Sequence, residues 1–237
     1  MRLLVTRPEP EAGATAARLA GAGHSVLTDP MLTIVPLPDV AIPDRAYQAV
    51  LVTSVNALRA IAGHPALARL QAVELLAVGA RTAGEARALG FHRVSAASGS
   101  VESLGALALA RLSVAHGPLL YLAGVERAGA LDAVLGAHGH AVDLVETYRS
   151  VPARALAPAT RSALAEGRID AVLFASARTA SAFLAAVAAA GLRPALARVS
   201  AICLSPAIAR SVAAAGFGAL RVAAEASEAA LIAAVGE

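Results

Sequence analysis

Lysine is missing from this sequence altogether, so all 20 of its basic residues are arginines. Pyridoxal and Schiff-base chemistry require a lysine amine, and the phosphate-binding P-loop requires a lysine of its own, so both mechanisms are excluded. Tryptophan is also absent, and aromatic residues make up only 3% of the chain. Nucleic-acid readers combine basic runs with interleaved aromatics, whereas the arginines here are scattered. We therefore expect no nucleic-acid partner.

Cysteine and long apolar runs are equally scarce. Cys203 is the only cysteine, which rules out an internal disulfide and a thiolate metal cluster. The longest uncharged stretches, such as residues 179–192, are shorter than the roughly 18 to 20 residues that cross a bilayer. The segment between Arg2 and Arg7 is too short for the apolar region of a secretory signal. These observations lead us to expect a cytoplasmic protein with no membrane partner. We also expect a monomer.

The sequence does contain an internal repeat. Residues 49–54 return as residues 171–176, which is an offset of 122 positions. Residues 23–26 return 116 positions later, and residues 78–91 return 126 positions later. Because the offsets grow in order along the chain, the repeat indicates two copies of one unit separated by small loop insertions. The unit is too long for a solenoid, so we expect two similar α/β halves with a cleft between them.

Each half alternates short apolar runs with alanine-rich stretches, a pattern typical of βαβ units and a parallel sheet. Helices are predicted from Pro8 to about Ala22 and, in the second half, from the strand at 119–122 to about Leu135. The predicted fold class is α/β, with two similar parallel-sheet domains of the flavodoxin-like or Rossmann-like kind. The predicted strands are residues 2–6, 25–28, 49–53, 74–78, 119–122, 141–145, 171–175 and 198–204.

Polar residues follow several of these strands at the point where a helix begins. Residues 53–56, 78–82 and 175–179 place hydroxyls and free amide groups beyond the carboxyl ends of buried strands. Helix starts bind anions through unpaired N–H groups and the positive end of the helix dipole. Ordinary helix capping by Ser and Thr would explain any one of these positions. Their occurrence in both halves favours a distributed anion-binding site.

No conventional catalytic set accompanies these groups. His138 and His140 have a metal-like spacing, but the repeat places them in a helix-to-strand turn, so we expect no metal site. The glycines do not form a dinucleotide fingerprint. Ser54 and Ser176 lack the nucleophile-elbow context, and no histidine is placed to activate them.

Several short motifs, taken together and in order, resemble the uroporphyrinogen-III synthase family over essentially the whole chain. The motifs are Leu-Val-Thr-Arg-Pro at 4–8, Thr53-Ser54-x-Asn56-Ala57, Val78-Gly79-x-x-Thr82-Ala83, Val145-x-x-Tyr148-Arg149, and Ala209-Arg210 with Gly216. The resemblance implies two α/β domains joined by a two-stranded β-ladder. It predicts one domain from residues 1–33 and 155–237, a second domain from residues 43–145, and a connecting ladder from residues 34–42 and 146–154. Two proline-marked segments, 34–43 and 147–152, fall at this ladder.

The implied reaction removes the hydroxyl of hydroxymethylbilane as water and closes the ring to uroporphyrinogen III, with inversion of the terminal pyrrole. The substrate is a linear tetrapyrrole polycarboxylate, and the family uses no cofactor or metal. Unassisted closure gives the type I isomer, so catalysis must consist largely of positioning. Arginines and helix starts around a cleft are suited to holding carboxylates.

By motif match, the resemblance assigns Tyr148 the role of assisting departure of the hydroxyl. The predicted substrate-binding residues are Arg7, Thr53, Ser54, Thr82, Ser176 and Ser205. The last motif departs from the family, because Ile208 stands where a threonine is common, and Ser205 is a candidate substitute.

Two alternative functions, each from a different functional class, are compatible with this architecture. A two-domain protein could close on a small anion without catalysis, as binding proteins do. A glycosyltransferase-like enzyme with paired α/β domains could use a nucleotide sugar, although acidic contacts at strand ends are missing from the sequence. Fold alone does not separate these readings, so the functional hypothesis depends on the motifs.

Overall fold

The computed structural model describes residues 1–127 and 129–236. Ala128 and Glu237, which fall within the predicted domain ranges, lie outside the described residues. The chain divides into two compact units. Unit 1 consists of Met1–Thr33 together with the chain from Val151 onward, and unit 2 consists of Ile34–Ser150.

Strands and helices alternate along almost the whole chain. The strands are β1 (Arg2–Val5), β2 (Ser25–Thr28), β3 (Leu32–Pro36), β4 (Ala49–Val52), β5 (Glu74–Ala77), β6 (Val94–Ala96), β7 (Leu119–Gly124), β8 (Val142–Pro152), β9 (Ala171–Phe174), β10 (Ser200–Cys203) and β11 (Ala219–Val222). The helices are α1 (Glu11–Gly21), α2 (Val55–Ala60), α3 (Leu67–Leu70), α4 (Ala80–Ala88), α5 (Val101–Arg111), α6 (Leu131–Ala137), α7 (Pro158–Ala165), α8 (Ala177–Ala189), α9 (Pro206–Val212) and α10 (Glu228–Ala233).

Each unit is built on one sheet, and the two sheets have the same plan. The unit 1 sheet has the order β11-β10-β9-β1-β2, and the unit 2 sheet has the order β6-β5-β4-β7-β8 with β3 added beyond β8. The strand pairs within each five-strand set are parallel. Parallel strands need crossover connections, and the helices supply them. The predicted fold class of parallel-sheet α/β halves is confirmed.

The pairing register shows that the internal repeat is structural. Leu3 pairs with Ala171 in unit 1, and the positions that correspond to them by the repeat, Leu119 and Ala49, pair in unit 2. The pairs β1–β2 and β7–β8 agree in the same way, as do β9–β10 and β4–β5. Equal register places equivalent residues of the two units at equivalent points of their sheets.

Both faces of each sheet are covered. Val50 and Val52 belong to the core between the unit 2 sheet and helices α2 and α4, whereas Ala49 and Leu51 belong to the core beneath α5 and α6. The near-continuous apolar composition of these strands follows from this two-sided burial. Cys203 is buried in the unit 1 core, where burial raises the pKa of its thiol to about 11. It therefore packs as a small apolar side chain.

The strands β3 and β8 form a ladder along the edge of the unit 2 sheet. The N–H of Leu37 donates to the carbonyl of Thr147, and the N–H of Ala153 donates to the carbonyl of Met31. Because one residue number rises as the other falls, the two strands run antiparallel. The chain crosses from one unit to the other within each of these strands.

Two local predictions were wrong. The chain after β7 does not enter a helix at once, because a loop precedes α6, which begins only at Leu131. The strand predicted to end at Val145 continues as β8 to Pro152, since β3 supplies it with a second partner. Within the described residues, none of the helices is both long and apolar enough to cross a membrane.

Candidate active site

The strand order of unit 2 reverses between β4 and β7. From β4 the chain proceeds to β5 and β6 on one side, then returns to place β7 and β8 on the other. In open α/β sheets, ligands bind beyond the carboxyl ends of the strands at such a switch point. Thr53 directly follows β4, so this predicted site residue lies where the topology favours a ligand.

A tyrosine from β7 contacts this threonine. The Tyr121 hydroxyl lies 3.2 Å from Thr53 Oγ1, and the Tyr121 side chain is almost completely buried. Burial raises the pKa of Tyr121, although the Thr53 hydrogen bond and nearby Arg127 act in the opposite direction. The phenol therefore stays protonated at neutral pH.

A bulge in β8 determines the side of the sheet on which Tyr148 lies. Ala123 pairs with Glu146, but Gly124 pairs with Tyr148, so Thr147 is an extra residue in the ladder. The Thr147 hydroxyl donates to the Ala123 carbonyl at 3.2 Å. Since side chains alternate along a strand, residues three apart normally lie on opposite faces. The extra residue brings Tyr148 onto the same face as Val145, within the α2 and α4 core.

Gly124 provides the space that the Tyr148 ring occupies. A methyl group on Gly124 would lie 2.7 Å from Tyr148 Cζ and 2.9 Å from its hydroxyl oxygen. The Tyr148 side chain is only 7% exposed, and its hydroxyl has no hydrogen-bond partner among residues 1–127 and 129–236. A phenol held in one place with an uncommitted proton is suited to donating that proton to a ligand.

The loop after β7 is attached to β8 at three points. The Val125 N–H donates to the carbonyl of Tyr148 at 2.9 Å, and the Ser150 N–H donates to Glu126 Oε2 at 2.8 Å. Arg127 forms an ion pair with Glu146, with Nη1 and Oε1 2.9 Å apart. These contacts hold the backbone beside Tyr148 in a defined position.

The other predicted unit 2 residues lie at helix starts on the same carboxyl edge. Ser54 is the N-cap of α2 and accepts a hydrogen bond from the Asn56 N–H at 3.2 Å. Helix α4 begins after Gly79, a residue with no side chain to cap the helix. Thr82 lies in the first turn of α4 and is 5% exposed. Unit 2 therefore brings Thr53, Ser54, Thr82 and Tyr148 to one edge of its sheet.

Arg7 lies at the corresponding switch point of unit 1, two residues after the end of β1, the strand that pairs with β9. Its Nη1 lies 3.3 Å from Glu228 Oε1 and 3.1 Å from Thr15 Oγ1, and its side chain is 11% exposed. Glu228 also accepts a hydrogen bond from Thr15 at 2.6 Å and pairs with Arg18 at 3.1 Å. The Arg7 guanidinium is thus engaged within unit 1 itself.

The two remaining predicted residues are N-caps in unit 1. Ser176 caps α8, where it accepts from the Thr179 N–H at 3.1 Å and lies 2.8 Å from the Thr179 hydroxyl. Ser205 caps α9 and accepts from the Ile208 N–H at 3.5 Å. Ile208 is itself buried in the unit 1 core, so its side chain packs instead of facing a ligand. Unit 1 brings Arg7, Ser176 and Ser205 to the carboxyl edge of its own sheet.

The histidines at 138 and 140 occupy the turn that the repeat predicted. The His138 ring binds the carbonyl of Val134 within its own helix. Over the described part of the chain, no group of three or more His, Cys, Asp or Glu residues is arranged to hold a metal ion.

The comparison with known families decides between the alternative readings. The model of a family described as uroporphyrinogen-III synthase HemD matches residues 13–233. The chain belongs to this family. The family reaction, cyclisation of hydroxymethylbilane to uroporphyrinogen III in haem biosynthesis, is accordingly its activity, and the chain is a lyase. The reading as a small-anion binding protein without catalysis is not favoured.

Solved structures of the uroporphyrinogen-III synthase family share the fold. The structure of uroporphyrinogen-III synthetase from Helicobacter pylori is 20% identical with a TM-score of 0.68, covering 99% of this chain and 98% of that one. A mutant uroporphyrinogen III synthase from Thermus thermophilus is 21% identical with a TM-score of 0.63, covering 100% of this chain and 96% of that one. A comparison with curated protein sequences gives no match.

Sequence reasoning missed two residues of this candidate site. Tyr121 lies in the middle of an otherwise apolar strand, and its polar hydroxyl among apolar side chains was the signal that could have identified it. Gly124 is the last residue of the same strand. Its role depends on the Tyr148 ring that packs against it, a contact that the sequence does not show.

Proposed function

We propose that this uroporphyrinogen-III synthase uses Tyr148 to assist departure of the substrate hydroxyl and the carboxyl edges of its two sheets to hold the substrate carboxylates. The proposal rests on the fixed position and the available proton of the Tyr148 hydroxyl. This hydroxyl is fixed by Gly124 and the β8 bulge, and its proton has no acceptor among the described residues. A phenol hydroxyl carries a proton that it can donate to a leaving group.

The proposed carboxylate contacts come from both units. In unit 2 they are Thr53, Ser54 and Thr82, and in unit 1 they are Arg7, Ser176 and Ser205. Hydroxyls and main-chain N–H groups at helix starts donate to anions, and an arginine adds positive charge. Ser205 takes the place of the family threonine that is absent at Ile208.

The proposed mechanism depends mainly on positioning. The hydroxyl leaves readily, and the type III product requires the terminal pyrrole to be presented in the inverted sense before the ring closes. Electrostatic stabilisation of the cationic intermediate would add to this effect. No step in the proposal requires a cofactor or a metal ion.

The domain assignment is part of the proposal. We propose one domain of residues 1–33 with 155–237, a second of residues 43–145, and a connecting ladder of residues 34–42 and 146–154. We further propose a monomer acting in the cytoplasm. Size-exclusion chromatography with light scattering would test the monomer directly.

The decisive experiment supplies purified protein with hydroxymethylbilane and measures the ratio of type III to type I uroporphyrinogen. We expect the wild-type chain to divert product to type III. Removing only the Tyr148 hydroxyl, in Tyr148→Phe, should slow type III formation about 10- to 100-fold, at the low end for general acid assistance because the leaving group departs easily. The melting temperature should stay unchanged because the hydroxyl has no hydrogen-bond partner to lose among the described residues.

Tyr47→Phe is the matched control for this experiment. The Tyr47 hydroxyl donates to Asp143 Oδ2 at 2.7 Å, and both residues lie at the amino ends of the unit 2 strands, at the opposite edge of the sheet. This variant should retain the wild-type isomer ratio. A folded wild-type protein that yields only the spontaneous type I product would refute the proposed function, and an unaltered rate for Tyr148→Phe would refute the role of Tyr148.

A further inference from the structure

Tyr121 is a buried phenol that the proposed mechanism does not use. It is one of only three tyrosines in the chain and is 1% exposed. Its hydroxyl contacts Thr53 Oγ1 at 3.2 Å and has no other hydrogen-bond partner in the described part of the chain. The Thr53 hydroxyl likewise has only this one partner there, but Thr53 is half-buried at the open end of β4.

The direction of this hydrogen bond follows from where each proton could go. If Thr53 donated to Tyr121, the phenol proton would be left without an acceptor in a buried site, which is costly. If Tyr121 donates to Thr53, the remaining proton belongs to Thr53, which can direct it to water or to a ligand. The second arrangement leaves no buried donor unsatisfied. Tyr121 is therefore the donor and Thr53 the acceptor.

We infer that Tyr121 is a positioning residue, which fixes the Thr53 hydroxyl so that its proton points outward to a carboxylate of the linear tetrapyrrole. This inference rests on the proposed function, because it deepens the role of Thr53 in binding the substrate. With one of its two lone pairs engaged by Tyr121, the Thr53 hydroxyl has fewer orientations open to its proton and presents a donor at the switch point of the sheet.

The repeat shows that the sheet does not require this pair for packing. By the repeat, Val5 corresponds to Tyr121 and Ala175 corresponds to Thr53. Val5 pairs with Leu173 just as Tyr121 pairs with Leu51. Unit 1 thus fills the same place in the same register with two apolar side chains. The two hydroxyls of unit 2 are an addition to a sheet that forms without them.

The test is a double-mutant cycle measured by kcat and KM for hydroxymethylbilane. Thr53→Val removes the outward donor, and we expect kcat/KM to fall about 10-fold, mainly through KM, since the lost bond is to a charged group. Tyr121→Phe should cost about 3- to 5-fold because it only frees the orientation of the donor. The double variant should be no worse than Thr53→Val alone, since Tyr121 acts through Thr53. Tyr47→Phe serves again as a control with wild-type KM.

Three outcomes overturn the inference while leaving the proposed function intact. They are a wild-type KM for Tyr121→Phe, losses that multiply in the double variant, and a wild-type KM for Thr53→Val. Thr53→Ser keeps the hydroxyl and should restore KM, which keeps the idea testable even if Tyr121→Phe does not fold. Absence of type III product from the wild-type protein would instead remove the proposed function and this inference together.

Discussion

The two units share a strand order and a pairing register, but their carboxyl edges carry different chemistry. In unit 2, the phenols of Tyr121 and Tyr148 and the hydroxyl of Thr53 lie around the end of β7. In unit 1, Arg7 lies just beyond the equivalent strand, β1, and forms an ion pair with Glu228. Gly124 in unit 2 corresponds by the repeat to Pro8 in unit 1. The repeated sheet therefore provides equivalent positions, and the residues at those positions determine which chemistry each unit contributes.

The amino edges differ as well. Asp170 in unit 1 forms an ion pair with Arg2, while the corresponding Gln48 in unit 2 makes neutral hydrogen bonds to the backbone of Ser113. At this pair of equivalent positions, unit 1 thus has an ion pair and unit 2 has an amide. The two positions should respond differently to substitution and to acid.

The largest expected effect comes from Gly124→Ala, which removes the space that distinguishes unit 2. The added methyl group would contact the Tyr148 ring at 2.7 Å, so the ring must move. We expect type III formation to fall about 100-fold or more, together with a loss of about 1–3 kcal/mol in the free energy of unfolding from overpacking. Isomer analysis and urea unfolding would measure the two effects.

Gly136→Ala is the control for this change. Gly136 lies within α6, and a methyl group there would meet nothing within 4 Å. It should keep full activity and gain slightly in stability, since alanine is the better helix former. Wild-type activity in Gly124→Ala would show that the position of the Tyr148 ring does not matter.

An intermediate effect is expected from Glu228→Gln, which breaks the charge network at the unit 1 edge. Arg7 would keep its charge in a mostly buried position and would lose its ion pair with the Glu228 carboxylate, so we expect a loss of about 1–3 kcal/mol in unfolding free energy. Glu166→Gln offers a contrast, because the Arg168–Glu166 pair is about half exposed on both sides and should not alter stability measurably. Equal urea midpoints for the two variants would mean that the Arg7–Glu228 network stabilises the fold no more than the exposed Arg168–Glu166 pair does.

The smallest expected effect concerns acid and the amino edges. Hydrogen bonding to Arg2 lowers the pKa of Asp170 below its ordinary value of 3.8. Its contribution to stability is therefore complete above that value and is lost as the pH falls below it, through the lowered native pKa. Asp170→Asn should flatten the pH dependence of unfolding below about pH 4. Gln48→Ala should shift stability equally at every pH. If Asp170→Asn lost stability with falling pH as steeply as the wild-type protein does, the assignment would be contradicted.

The sequence was informative where burial and repetition controlled the structure. Apolar runs such as residues 49–52 and 171–174 form strands because both faces of each sheet are covered. The collinear repeat then predicted two halves of the same plan, and the rule for parallel sheets pointed to Thr53 and Ser176 at strand ends.

The remaining features depend on contacts between distant residues. Tyr121 and Thr53 are 68 positions apart, and the placement of Tyr148 depends on its pairing with Gly124 across a bulge. The residues that directly follow β7, Val125 to Arg127, bind β8 instead of starting a helix. None of these pairings leaves a periodic signal in the sequence.

The bulge at Thr147 has a consequence for aligning divergent relatives. Because Thr147 is accommodated as an extra residue, Tyr148 lies on the face that it would occupy in a strand one residue shorter. A single-residue insertion or deletion between Val145 and Tyr148 can therefore be absorbed without changing the side of the sheet that the tyrosine faces. At about 20% identity, a one-residue gap here would mark the gain or loss of a bulge instead of a change in the site.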